Sequence, residues 1–225
     1  MADSELTSRV VYHSTYWLSY HALTFGLSFR ATGRENIPVT GPALLVSNHQ
    51  SYIDPWLIGQ AATRRLRYLA RHNLFHNAMF ARLIRCYGAV PIDRGFGKEG
   101  LQTVFKELAD GQAVVIFAEG ERTHTGEVQP LKPGISLLMK RVTCPIIPVA
   151  LAGAYEMWPR HQKWPRPELL PLPAHGRAIT VAYGPPIDPT RYKTMDRDEM
   201  LNDLRAAIVQ THHVADRFRR KPTKG

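Results

Sequence analysis

The chain has 225 residues, 44% of them hydrophobic, which is enough to bury one substantial core and short of two ordinary domains. Its 29 Lys and Arg against 19 Asp and Glu leave a formal net charge of +10, so an anionic partner is expected, either nucleic acid or an anionic membrane surface. No helix-turn-helix, zinc-finger or RNA-binding signature is present, which argues for no nucleic acid partner, and two unclustered cysteines, Cys86 and Cys144, exclude a disulfide framework and fit a reducing cytoplasm.

In chain order, residues 10 to 29 come first. They contain no Asp, Glu, Lys or Arg and are rich in aromatics (Tyr12, Tyr16, Trp17, Tyr20, Phe25, Phe29), yet His13, Ser14, Ser19, His21 and Thr24 interrupt them. That is too polar for a spanning helix and fits an aromatic helix lying in the headgroup region. A helix packed on the domain's own core is the plainer alternative. No secretory signal is visible.

Ala43 to Val46 reads as a buried strand, and Asp54-Pro55 as a helix start, with the carboxylate at the N-cap and proline first in the helix. Leu66 to Ala70 reads as a strand, Leu74 to Cys86 as a helix stopped before Gly88, and Leu101, Val104, Phe105 and Leu108 as a helix face ended by Gly111. Strands are expected at Ala89–Gly95, Val114–Thr123, Pro145–Leu151 and Arg177–Tyr183. Helices are expected at Gly134–Val142 and Arg197–Phe218, the latter with Met200, Leu204 and Ile208 inward. The proline-rich stretch Trp158 to Pro173 cannot be a regular helix. Alternating strands and helices give an α/β fold, a mostly parallel central sheet flanked by helices. Boundaries follow: 1–35 an N-terminal membrane-interacting helical segment, 36–218 the main domain, 219–225 a basic tail.

The chemistry-bearing residues lie at strand ends. His49 and Asp54 are five apart, which rotates them 500° on a regular helix, so they must meet on a turn if they meet. There a histidine could act as a general base on a hydroxyl while the carboxylate holds its tautomer, since imidazole ordinarily titrates near about 6.5. In the bland alternative, Asp54 only caps a helix. Arg94 lies at the end of the strand segment Ala89–Gly95, and Glu119, Gly120 and Arg122 lie on the C-terminal edge of the strand segment Val114–Thr123. The pairs His72/His76 and His212/His213 lack a third ligand or zinc motif. The first is not read as a metal site and the second is read as a solvated helix face.

His49 with Asp54, then Arg94, then Glu119-Gly120-Glu121-Arg122, then the proline-bracketed Pro145–Leu151 resemble, in order and approximate spacing, the four motifs of the glycerolipid acyltransferases, particularly the 1-acylglycerol-3-phosphate type. The resemblance covers about residues 40 to 152. It implies a glycerolphosphate-acyltransferase-like fold, with His49 as base, Asp54 orienting it, and Arg94, Glu119, Gly120 and Arg122 on the acceptor's phosphate. It implies an acyl thioester donor, acyl-CoA or acyl carrier protein, as substrate rather than cofactor, a lysophospholipid acceptor, and phosphatidic acid as product. No metal is implied. Two departures bear on the acceptor: Ala118 replaces the family's proline, and Glu121 replaces its threonine, placing an extra carboxylate beside a phosphate site. Another lysolipid or hydroxylated lipid is therefore the alternative acceptor, and a non-catalytic membrane-binding protein of the same fold is the alternative from another class. Neither cysteine lies in a motif and no G-x-S-x-G elbow exists, so direct attack by the acceptor is expected. The basic groups Arg64, Arg65, Arg67, Arg71 and Arg217, Arg219, Arg220, Lys221, Lys224, with the aromatic N-terminal segment, point to peripheral membrane association on the cytoplasmic face.

Overall fold

A computed structural model describes residues 16–25, 28–92, 97–166 and 178–219. Helix α1 occupies residues 16–25. The strands are β1 (Arg30–Thr32), β2 (Ala43–Ser47), β3 (Leu66–Arg71), β4 (Ala89–Ile92), β5 (Ala113–Phe117), β6 (Ile146–Ala152) and β7 (Thr180–Tyr183). The remaining helices are α2 (Asp54–Ala61), α3 (Ala78–Cys86), α4 (Lys98–Ala109), α5 (Ile135–Met139), α6 (Ala154–Met157) and α7 (Arg197–Phe218).

The strands form one sheet in the order β1-β7-β6-β2-β5-β3-β4, with every pairing parallel except β6 with β7. Burial on both faces explains why β2, β5 and β6 are unbroken apolar runs. Side chains alternate between the faces. Leu45, Val115, Ile147, Val149 and Leu151 meet Leu57, Ile58 and Ala61 of α2 and Leu23 of α1. Leu44, Val46, Val114 and Ile116 meet Val104 and Leu108 of α4, Leu138 of α5, and Met200, Leu204 and Ile208 of α7. The expected mostly parallel sheet between helices is what forms.

Several boundaries differ from the sequence reading. Leu74–Cys86 is a 3₁₀ turn (His72–Phe75) and then α3, because the Asn77 side chain accepts the Phe80 N–H and starts a fresh helix there. Helix α5 is shorter than 134–142, although Arg141 and Val142 still donate back to Leu138 in a tightened last turn. Residues 30–32, placed in the N-terminal segment by the sequence reading, form β1 and pair with β7 at the sheet's edge. Arg219 does not begin a free tail. Its guanidinium donates to Glu156, Asp216 and the Ala178 carbonyl, fixing the end of α7.

Helix α1 packs on the domain's own core with one face and leaves the other exposed. Leu23 is buried, the Tyr16 hydroxyl donates to the Gln60 carbonyl at 3.0 Å, and Gln60 and Ser19 are hydrogen-bonded, so one face packs on α2. Trp17, Leu18 and Phe25 on the other face are exposed, with Trp17, His21 and Phe25 stacked in a row. Among the described residues no helix is long and apolar enough to cross a membrane.

Because β2 to β6 all run the same way, their C-terminal ends lie on one edge of the sheet. Open α/β sheets bind ligands at such an edge.

Candidate active site

The chain leaves β2 at Ser47 and enters α2 at Asp54, and the turn between is closed by one carboxylate oxygen. Oδ2 of Asp54 accepts from the backbone N–H of Gln50 and of Ser51 (2.8 Å) and from Nδ1 of His49 at 2.8 Å. The carboxylate therefore folds the turn as well as holding the ring. This corrects the N-cap reading: Ile53 occupies the cap and Asp54 is the first helical residue, reaching back into the turn. Asp54 is fully buried, and its Oδ1 has no hydrogen-bond partner. An acceptor-only carboxylate on Nδ1 requires the proton there and leaves Nε2 with its lone pair. The His49 side chain is 19% exposed, enough for a substrate to reach it. Phe117, the last residue of β5, stacks on the imidazole at 4.1 Å and fixes the ring plane.

The turn's polar side chains anchor it to its surroundings. Asn48 exchanges two hydrogen bonds with the Leu151 backbone, tying the end of β2 to β6. Gln50 donates to the Gly126 carbonyl at 2.7 Å and accepts from Tyr155 N–H, and the Ser51 hydroxyl donates to the Trp158 carbonyl. His212 of α7 is not solvated as expected. It is half-buried with Nε2 3.4 Å from the Gln50 amide nitrogen, and burial lowers its pKa, with Asp216 opposing.

The loop after β5 is latched to the same turn by a 2.7 Å hydrogen bond from Thr123 N–H to the His49 carbonyl. Gly120 turns that loop with φ of 72°, its N–H returning to the Phe117 carbonyl. Glu119 is buried against the turn, and neither carboxyl oxygen is hydrogen-bonded. Burial pushes its carboxyl up to about 8 and Asp54 adds to the rise, while the nearby amides of Gln129 and His49 oppose it. It is thus held neutral at pH 7. The Arg122 guanidinium lies over the Tyr52 ring, 3.3 Å from its centroid, with Nη1 buried and without a hydrogen-bond partner. Glu121, the unexpected carboxylate, points to the surface and pairs with Lys132 (3.5 Å) and Arg160 (3.3 Å), which lower its pKa.

The structure thus brings His49, Asp54, Glu119, Gly120 and Arg122 together, while Arg94 lies outside the described residues. His72 and His76 sit 6.0 Å apart, ring to ring, and no third metal-ligating side chain joins them among the described residues.

Residues 28–152, which hold this turn and loop, match the Acyltransferase family. The chain belongs to that family. It is 25% identical over 185 residues to a probable 1-acyl-sn-glycerol-3-phosphate acyltransferase of Mycoplasma genitalium, covering 76% of this chain and 66% of that one. The 1-acyl-sn-glycerol-3-phosphate acyltransferase of Bacillus subtilis is 29% identical over 122 residues, 53% of this chain and 60% of the relative. That of Saccharomyces cerevisiae is 27% identical over 153 residues, 63% and 50%. The chain therefore spans half to about two thirds of the length of these relatives. The crystal structure of the 1-acyl-sn-glycerophosphate acyltransferase from Thermotoga maritima superposes with a TM-score of 0.74 at 21% identity, covering 93% of this chain and 81% of that one, and shares its fold.

The family match covers the turn between β2 and α2 but not α7, so the contact of His212 with Gln50 comes from outside it. Sequence reasoning missed Asn48, Gln50, Ser51 and Phe117. A run of polar residues directly after an unbroken apolar strand was the available signal.

Proposed function

We propose that this acyltransferase moves a fatty acyl chain from an acyl thioester, acyl-CoA or acyl carrier protein, to the free hydroxyl of 1-acylglycerol-3-phosphate, yielding phosphatidic acid. The observation that carries the mechanism is the 2.8 Å contact of His49 Nδ1 with the buried Asp54 carboxylate, which leaves Nε2 as the only basic ring atom. Nε2 takes the proton as the hydroxyl oxygen forms its bond to the thioester carbonyl carbon. The C–S bond then breaks, and the imidazolium returns that proton to the departing thiolate. Asp54 stabilises the imidazolium.

The acceptor rests on Arg122 and on the names of the curated relatives. The Arg122 guanidinium, held over Tyr52 in the turn after His49, pairs with no carboxylate among the described residues, and the acceptor's phosphate is an anion that would pair with it. Arg94 is assigned to the same phosphate by its motif alone. Glu119, held neutral, adds no repulsive charge there, and Glu121 is offset by Lys132 and Arg160, so the extra carboxylate no longer favours a different headgroup. Peripheral membrane attachment, on the cytoplasmic face, belongs to the same proposal and is supported by the exposed Trp17, Leu18 and Phe25. The test is free-thiol release by the purified protein with both donor classes and a panel of lysolipids. Lysophosphatidic acid is expected to be the preferred acceptor, and preference for a neutral-headed lysolipid would reject the assignment.

A further inference from the structure

From Pro55 to Ile92 the sequence contains Arg64, Arg65, Arg67, Arg71, Arg82 and Arg85 and no aspartate or glutamate. Three of these arginines are committed within the fold, Arg65 through a hydrogen bond to the Arg85 carbonyl. Arg64 donates to the carbonyls of Pro38, Gly41 and Gly111, and Arg67 pairs with Glu107 at 3.3 Å. Arg71, Arg82 and Arg85 have no carboxylate partner among the described residues, and Arg85 lies over the Phe75 ring, 4.8 Å from its centroid.

The same stretch holds a weakly embedded helix. Of the nine residues of α3 only Ala81 is buried. Met79 is 83% exposed, Phe80 44% and Leu83 48%, and Leu74 in the preceding 3₁₀ turn is exposed as well. Positions 79, 80 and 83 share one helical face. On the other side of the helix Arg65, Arg82 and Arg85, with Ala78, Ala81 and Cys86, line an open groove of about 410 Å³, with Arg82 nearest the apolar face. A lone exposed hydrophobe is ordinary, but three on one face flanked by arginines without carboxylates are not. The 3₁₀ turn follows the C-terminal end of β3, on the sheet edge that carries His49, and α3 runs from there back toward the opposite edge, where the Arg85 carbonyl accepts from Arg65.

We propose that α3 and the turn before it form a membrane-docking element that lies on an anionic bilayer. Met79, Phe80 and Leu83 enter the boundary of the acyl region, and Arg82 and Arg85 take the phosphates of anionic headgroups. A convex amphipathic helix with a basic flank fits a deformable, negatively charged plane. An acidic protein would need a shaped apolar counterpart to cover the same side chains. The element is separate from α1, and it rests on the proposed function only in that the acceptor would be drawn from the bilayer it touches.

The experiment is cosedimentation of the full chain with vesicles of phosphatidylcholine alone and of phosphatidylcholine mixed with phosphatidylglycerol. Replacing Met79, Phe80 and Leu83 together by Ser is expected to raise the half-saturating lipid concentration roughly tenfold or more on mixed vesicles. Arg82→Glu with Arg85→Glu is expected to do so on mixed vesicles at low salt, with the difference shrinking at high salt. Both variants should keep the wild-type melting temperature and wild-type thiol release with detergent-dispersed lysolipid. If the serine variant melts early, Met79→Asp alone carries the same expectation. Absence of thiol release in the wild type would count against the proposed function and leave the vesicle comparison readable. Unchanged partitioning of these variants would overturn the inference, as would a wild type that ignores mixed vesicles but binds an acidic acyl carrier protein through the same residues.

Discussion

The guanidinium of Arg122 lies over the ring of Tyr52, 3.3 Å from its centroid, so the loop after β5 presents its cation through a residue of the turn that holds His49. A planar, always-charged group held on an aromatic face is pre-oriented for a phosphate.

Arg122→Ala should therefore weaken acceptor use roughly ten- to hundredfold in kcat/KM, the value of a charge-assisted contact of about 1.5–3 kcal/mol, with donor KM little changed. Tyr52→Ala should give a smaller loss of the same kind. Steady-state kinetics varying each substrate in turn would show it, and unchanged acceptor kinetics in Arg122→Ala would remove Arg122 from the phosphate site.

Glu119 makes stability depend on pH in a predictable direction. Its carboxyl titrates at about 8 in the folded chain against an ordinary value of 4.5. Between those values the native state keeps a proton that the unfolded chain releases. This contribution is full below pH 4.5, is lost as pH rises, and is gone above about 8. At about 1.4 kcal/mol per unit, the window is worth at most several kcal/mol. Glu119→Gln should abolish it, so the variant's melting temperature should gain on wild type as pH rises from 5 to 9. Parallel curves would mean that Glu119 does not carry the proton.

Removal of everything before Arg30 would uncover core, because Leu23 of α1 is buried on α2. The sharper test is Trp17→Ser with Leu18→Ser and Phe25→Ser, which leaves Leu23 and Tyr16 in place. Vesicle flotation should fall while thermal stability holds, and undiminished flotation would leave α1 as a packed structural helix only.

The unbroken apolar runs of β2, β5 and β6 and the inward Met200, Leu204 and Ile208 of α7 were legible because burial on both faces, or along one stripe, leaves a pattern in the sequence. So was the turn between His49 and Asp54, since a spacing of five cannot share a helix face. The anchors of that turn were not. Asn48, Gln50 and Ser51 bond backbone groups 76 to 107 residues away, and a backbone partner leaves no mark in the sequence at the far end. The break at Asn77 was hidden because apolar residues on both sides of it keep helical spacing.

Asn48 offers a stability test of this anchoring. Asn48→Ala would strand the Leu151 N–H and carbonyl inside the core, at a cost of roughly 1–3 kcal/mol each. The melting temperature should fall by several degrees, at roughly 2–4 °C per kcal/mol for a chain of this size. An unchanged melt would contradict the anchoring role.

The most direct measurement of the central claim is thiol release by purified His49→Ala, freed of host enzyme, with acyl thioester and lysophosphatidic acid. With Nε2 gone, the rate should drop by roughly 100- to 10,000-fold while fold and vesicle binding stay as in the wild type, and Asp54→Asn should be nearly as damaging. Turnover near the wild-type rate in His49→Ala would contradict the assignment of His49 as the base.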